Sequence, residues 1–251
     1  MPGRVQLIGH RGQPHSFPDN SLPGFLHVLK AGALHVETDV HISTDGIPVL
    51  SHDANLLEIT GKQIIISDHS YESIRQMSAS FPERFGKKFI DNRIATLKEF
   101  SSLLKDWPSV TCFIELKGSS INYFGNRAVD LTMEALEEIS SQCVFISFEY
   151  EALKYAQKNY DLPLGWVLPE WSKENQVKAN KLSPEYLFVD ADFCPEDEAE
   201  LWEGSWMWAV YTVNSAEQVD HFAGLGIELI ETNRYTELEK ESDIVDVSND
   251  Y

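Results

Sequence analysis

Five residues among the first fifty-three stand out, His10, Arg11, Glu37, Asp39 and His52, each on or just after a short apolar run. They lie in Leu7-Ile8-Gly9-His10-Arg11-Gly12, in Glu37-Thr38-Asp39 and in His52-Asp53. Cleavage of a phosphodiester needs this assortment: oxygens to hold a divalent cation, an acid and a base, and fixed positive charge for the phosphate. The chain is read as an enzyme on this basis.

Glu37, Asp39 and His41 alternate with Val36, Val40 and Ile42, so the period of two puts the polar side chains on one strand face. Acids on an inward face are costly unless they bind something. The bland alternative is a salt-bridge layer inside a barrel. Phe113-Ile114-Glu115-Leu116-Lys117 repeats the pattern, with Glu115 and Lys117 pointing one way. Three carboxylates from two strands make an all-oxygen site suited to one divalent cation, Mg²⁺ or Ca²⁺, rather than zinc. His10 and His52 end two different strands and could serve as acid and base, imidazole titrating at about 6.5. A lone histidine is as well explained by a bond to a loop carbonyl. The fork of Arg11 suits phosphate oxygens, with a plain surface charge as the alternative. Gly12 lets the chain turn away.

These groups need a scaffold. Strands are expected at 5–9, 35–42, 110–116, 143–148, 162–168, 186–192, 207–213 and 228–233, and helices at 22–31, 126–141, 149–159, 172–181, 195–202 and 215–224. Eight strands alternating with helices predict a closed parallel β/α barrel of the TIM type. An open doubly wound sheet is the alternative, but no G-x-G-x-x-G follows the first strand. Thr96 with Glu99 reads as a capping box, and Asn20 or Ser21 precedes the first helix. After strand 35–42, Thr44-Asp45-Gly46 and the extended run Ile47 to Ser51 predict a hairpin returning His52 beside Glu37 and Asp39. Residues 54–93 read as an inserted excursion of small helices and loops. Residues 235–251, with six acidic side chains, read as a frayed tail or surface arm. The whole, 1–251, is expected to be one domain.

A hydrophobic fraction of 43% supplies a core, and the net charge of −20 argues against nucleic acid or an anionic membrane as partner. A small anionic substrate is compatible with this, because screening over about 8 Å makes local charge matter more than the total. Val5 to Gly9 begins without a signal-like leader, no run is long enough to span a membrane, and Cys112, Cys143 and Cys194 form no C-x-x-C pair. Reduced thiols and a cytoplasmic location are the expectation. A homodimer is allowed, and nothing in the chain specifies one. Trp166, Trp171, Trp206 and Trp208 could line a cleft wall or pack the outer layer.

The chain resembles the glycerophosphodiester phosphodiesterases. The family's His-Arg-Gly turn, Pro-Glu-Asn-Thr-like segment, Glu-x-Asp, Thr-x-Asp-Gly hairpin and His-Asp read here as His10-Arg11-Gly12, Pro18-Asp19-Asn20-Ser21, Glu37-Thr38-Asp39, Thr44-Asp45-Gly46 and His52-Asp53. Ile94-Ala95-Thr96-Leu97, Glu115-Leu116-Lys117, Ser147-Phe148, Thr212-Val213-Asn214 and Gly226 to Asn233 extend the likeness over roughly residues 5–235. It implies an irregular β/α barrel, with Glu37, Asp39 and Glu115 on a divalent cation. His10 and His52 would be general acid and base, with Arg11 and Lys117 on the phosphate. The implied reaction is a glycerophosphodiester plus water giving glycerol 3-phosphate and an alcohol, directly or through a cyclic phosphate. A phospholipase D-like enzyme or cyclising lyase acting on lysophospholipids, and a non-catalytic phosphodiester-binding barrel, are the alternatives. Asp19 replaces the usual Glu, Glu58 stands where a basic residue is common, Tyr211 replaces Trp, and Asn233 replaces Asp. These departures bear on the choice of substrate.

Overall fold

Runs of Val, Ile, Leu and Phe that are apolar on both faces pair in parallel, because only a sheet covered on both sides hides them. In the computed structural model, which describes residues 5–241, they form β1 (Gln6–His10), β2 (His35–Ile42), β4 (Thr111–Leu116), β5 (Cys143–Ser147), β6 (Leu164–Val167), β7 (Tyr186–Asp190), β8 (Met207–Tyr211) and β9 (Leu229–Thr232). Each pairs in parallel with the next, and β9 pairs with β1 to close an eight-stranded barrel. The short β3 (Pro48–Leu50) runs antiparallel to the upper end of β2. Ser43 N–H donates to Ile47 O across the Asp45-Gly46 turn, so the expected hairpin is present. It sits above the stretch of β2 that pairs with β1, which makes the barrel irregular at that seam.

The inner face is plugged by Ile8, Phe113, Val144, Ile146, Val167 and Phe188. The outer face packs against helices Leu22–Lys30, Leu97–Leu104, Asn126–Leu136, Tyr150–Asn159, Lys173–Leu182 and Ala216–Gly224. Phe25 and Phe100 meet there at 4.5 Å between ring centroids. The Thr96–Glu99 capping box forms as expected, and Ser21 rather than Asn20 caps the first helix. Residues 54–93 carry three one-turn helices over a separate apolar cluster that includes Leu56, Ile66, Ile74 and Phe81.

One expectation needs correction, and two open alternatives resolve. Residues 195–202 form only a 3₁₀ turn, Glu198–Glu200. Four acids crowd this stretch, and Glu196 and Glu200 would repel at i,i+4 with no apolar stripe to offset them. The tryptophans take the outer-layer alternative: Trp171, Trp202, Trp206 and Trp208 pack on one another outside the barrel, and Trp166 is buried in the same outer core. The tail is helical at Tyr235–Glu241, with Tyr235 and Leu238 buried and Thr236 donating to Gln13 Oε1 at 3.0 Å; its remainder, 242–251, lies outside the described residues.

Gly12 has φ +83°, and a Cβ there would meet the Gly24 carbonyl carbon at 2.8 Å and the Phe25 nitrogen at 2.9 Å. Both neighbours are backbone. Gly12→Ala is therefore expected to cost about 2–4 kcal/mol, read as a lower urea midpoint at constant m-value. An unchanged midpoint would contradict this packing.

Candidate active site

The polar groups gather at the C-terminal mouth of the barrel, where active sites of this architecture lie. Parallel registry does the gathering: His10 is paired with Glu37 across β1–β2, and Asp39 with Glu115 across β2–β4. Arg11 turns with φ +49°, its N–H donating to Glu37 O at 3.1 Å. Its Nε then lies 2.9 Å from Asp39 Oδ2. Lys117, just past β4, bridges Asp39 Oδ1 at 2.5 Å and Glu115 Oε1 at 2.6 Å. His10, Arg11, His52, Glu115 and Lys117 line one cavity of about 190 Å³, and Glu37 and Asp39 are buried beside it against His10 and Arg11. All seven residues singled out in the sequence therefore meet at one mouth.

The two histidines are held differently. His10 is buried between Asn233 Oδ1, 2.7 Å from Nδ1, and Glu231 Oε1, 3.2 Å from Nε2. His52 stands at the open edge, its side chain 42% exposed and its Nδ1 2.9 Å from Asp53 Oδ1. The strand residue His41 steadies its backbone, Nε2 donating to His52 O at 3.0 Å. Asp53 and Glu58 border an outer groove of about 700 Å³.

Four carboxyls, Glu37, Asp39, Glu115 and Glu231, are each no more than 8% exposed and face two fixed cations, Arg11 and Lys117. Burial pushes Glu37 well above the ordinary carboxylate range, and the charges of Asp39, Glu231 and Glu115 push the same way. Burial lifts Glu231 to about 8 despite Arg11. It also raises Glu115, more than Lys117 lowers it. Asp39 goes the other way: burial opposes its charge, but Lys117 and Arg11 outweigh that and hold it below the usual range. Burial and the charge of Arg11 push His10 down to about 3, leaving a neutral ring. A protonated Glu231 can then donate to Nε2 while Nδ1–H donates to Asn233.

The donor set fits a hard divalent cation. Oxygens of Glu37, Asp39 and Glu115 lie within 4.8 Å of one another. Glu37 Oε1 is buried without a hydrogen-bond partner, an orphan that an ion would satisfy.

Three contributors went unrecognised in the sequence. Glu231 is the lone acid in Leu229-Ile230-Glu231-Thr232, inward-facing like Glu115, and that period-two signal could have found it. Asn233 reads there as a departure from Asp rather than as a partner of His10. Asn20 reads as a helix start, yet it is a buried hub at φ +55°. Its Oδ1 accepts from Thr38 Oγ1 at 2.7 Å and Asp39 N–H at 3.2 Å, and its Nδ2 donates to Asp39 Oδ2 at 2.9 Å. Asn20→Ala is expected to destabilise the protein by about 2–4 kcal/mol and to lower kcat/KM about tenfold as Asp39 loses its fixed orientation. Urea unfolding and steady-state kinetics check both, and a variant with wild-type kinetics would contradict the role of this hub.

Residues 10–237 match the model of the Glycerophosphoryl diester phosphodiesterase family. The chain is 35% identical over 116 residues to Glycerophosphodiester phosphodiesterase 1 of Mus musculus, covering 46% of this chain and 34% of the mouse protein. It is 25% identical over 241 residues to the Glycerophosphodiester phosphodiesterase of Caldanaerobacter subterraneus, covering 92% and 94% of the two chains. The chain spans half or less of the length of the human and mouse relatives it matches. A solved Oleispira antarctica phosphodiesterase, in complex with the product sn-glycerol-3-phosphate, shares the fold at a TM-score of 0.85 and 21% identity, over 94% of this chain and 96% of that one.

Proposed function

This chain belongs to the glycerophosphoryl diester phosphodiesterase family, and from that premise we propose that it hydrolyses glycerophosphodiesters to glycerol 3-phosphate and an alcohol. The observation that carries the reading is the convergence of two imidazoles, two cationic side chains and an acidic cluster on one small cavity. Arg11 and Lys117 meet the non-bridging phosphate oxygens, Arg11 with a planar fork and Lys117 with a compact charge. Glu37, Asp39 and Glu115 would hold Mg²⁺ or Ca²⁺, which when bound supplies positive charge against the phosphoryl oxygens. His10 and His52 form the proton-transfer pair. One takes the proton of the attacking oxygen as it bonds to phosphorus, and the other delivers a proton to the alcohol oxygen as its bond to phosphorus breaks. Asn233 and Glu231 fix the ring of His10, and His41 fixes the backbone of His52.

A cytoplasmic location belongs to the same proposal, supported by three free cysteines, two of them buried. No described helix is long and apolar enough to cross a membrane. The functional reading is tested by phosphorus NMR on glycerophosphocholine, glycerophosphoethanolamine, glycerophosphoinositol and a lysophospholipid, each with Mg²⁺ or Ca²⁺. Glycerol 3-phosphate is the expected product from the glycerophosphodiesters. A cyclic phosphate accumulating as end product, or a phosphorylated alcohol, would contradict it.

A further inference from the structure

The cavity has two chemically unlike walls. The cationic wall stands on the side of β1, β2 and β4, where Arg11 and Lys117 sit. In the closed order of eight strands, β7 and β8 lie diametrically across from β2 and β4. They contribute Phe188, Asp190 and Tyr211, and Phe148 adds a ring from just past β5. Asp190 and Tyr211 are paired in register at the ends of β7 and β8. A diester gripped at its phosphate by the first wall must send one arm towards the second.

The second wall holds an unspent negative charge. The cationic side chains of the cavity are engaged elsewhere, Arg11 with Asp39 and Lys117 with Asp39 and Glu115, and the rings of His10 and His52 face Glu231 and Asp53. Asp190 Oδ1 accepts only a backbone N–H, from Asp192 at 2.9 Å, and among the described residues no cationic side chain pairs with this carboxylate. Phe148 is 38% exposed, one of few large apolar side chains left open to solvent. A carboxylate among aromatic faces is the environment that favours an organic ammonium, through ion pairing and the negative faces of the rings. A neutral polyol needs no such charge, and an anionic arm would be repelled.

We propose that the β7–β8 wall is a head-group subsite that selects glycerophosphodiesters whose alcohol arm carries an ammonium, with Asp190 as counter-charge and Tyr211, Phe188 and Phe148 as its aromatic faces. This rests on the hydrolase reading above and deepens it by naming the substrate class. The test compares kcat/KM for glycerophosphocholine with that for glycerophosphoglycerol, whose second arm is neutral, in wild type and Asp190→Asn. The wild type is expected to prefer the choline ester by about tenfold or more, and the ratio to fall about tenfold in the variant. A variant ratio within twofold of wild type overturns the inference, whether both rates fall (Asp190 then serves the shared glycerol arm) or neither does. Choline and its uncharged isostere 3,3-dimethylbutanol, compared as inhibitors of the unmodified protein, give a second reading that needs no variant. Choline is expected to act at several-fold lower concentration, and equal potency overturns the inference. Turnover of other diesters without ammonium preference defeats this inference alone. Absence of turnover on every diester defeats the hydrolase reading and the subsite with it.

Discussion

His10→Ala is expected to lower kcat by about 10²–10⁴-fold, the range for losing a positioned proton-transfer group. The ring is buried, neutral and held at both nitrogens, so no other imidazole can take its place. His52→Ala is expected to produce a comparable loss. The two variants should separate in stability. Removing His10 leaves Asn233 Oδ1 and Glu231 without their buried partner, a cost of about 1–3 kcal/mol. Removing the His52 side chain, 42% exposed and paired only with its neighbour Asp53, should leave the unfolding midpoint almost unchanged. Steady-state kinetics with urea unfolding reads both effects, and near wild-type turnover in either variant would contradict the acid–base assignment.

The second large effect is a pH dependence of stability that a divalent cation reverses. Burial raises Glu37, Glu115 and Glu231, the last to about 8. The folded chain without metal therefore retains protons that the unfolded chain loses from about pH 4.5 upward. Taken by themselves, these three carboxyls bind more protons folded than unfolded, so their contribution to stability falls as pH rises. The contribution of Glu231 is fully present below the unfolded pKa and is gone once pH passes its folded value near 8. For Glu231 alone this amounts to a loss on the order of 3–5 kcal/mol between pH 4.5 and 8. Asp39 has the opposite sign, with its window at lower pH, and so do the buried histidines: burial lowers His10 to about 3 and His35 and His41 to about 4. They favour the fold increasingly up to about pH 6.5, and the fall set by the carboxyls stands unopposed only from there to about 8. A cation bound by Glu37, Asp39 and Glu115 must displace protons and relieve repulsion, so its effect should grow with pH. Thermal unfolding in chelator and in millimolar Mg²⁺ or Ca²⁺ is expected to show a small shift in Tm at pH 5.5 and a much larger one at pH 8. A metal-induced shift of equal size at both pH values would contradict the arrangement.

Much of this site was legible in the sequence because two local rules suffice for it. Alternation alone put Glu37, Asp39 and Glu115 on an inward face, and the Asp45-Gly46 turn returned His52 to the same rim. Glu231 escaped because its meaning depends on barrel closure. Only when β9 pairs with β1 does that acid come within 3.2 Å of His10. Asn20 was hidden by its surroundings, since a small polar residue before a helix reads as a cap. Ser21 does the capping, and the left-handed backbone of Asn20 turns its amide onto Asp39. The stretch 195–202 misled through composition: its residues favour helix singly, but they offer no face to bury. The same closure sets Asp190 across from Arg11 and Lys117, a relation that strand spacing along the chain does not express.

The most direct measurement is the initial rate of glycerophosphocholine hydrolysis by protein stripped with chelator and then titrated with Mg²⁺ or Ca²⁺, in wild type and Glu37→Gln. The account predicts no turnover after stripping, recovery saturating with added ion in the wild type, and little or no recovery in Glu37→Gln within the same concentration range. Turnover that survives stripping, or a Glu37→Gln titration that overlays the wild type, would contradict the proposed grip of the three carboxylates on the reacting phosphate's cation.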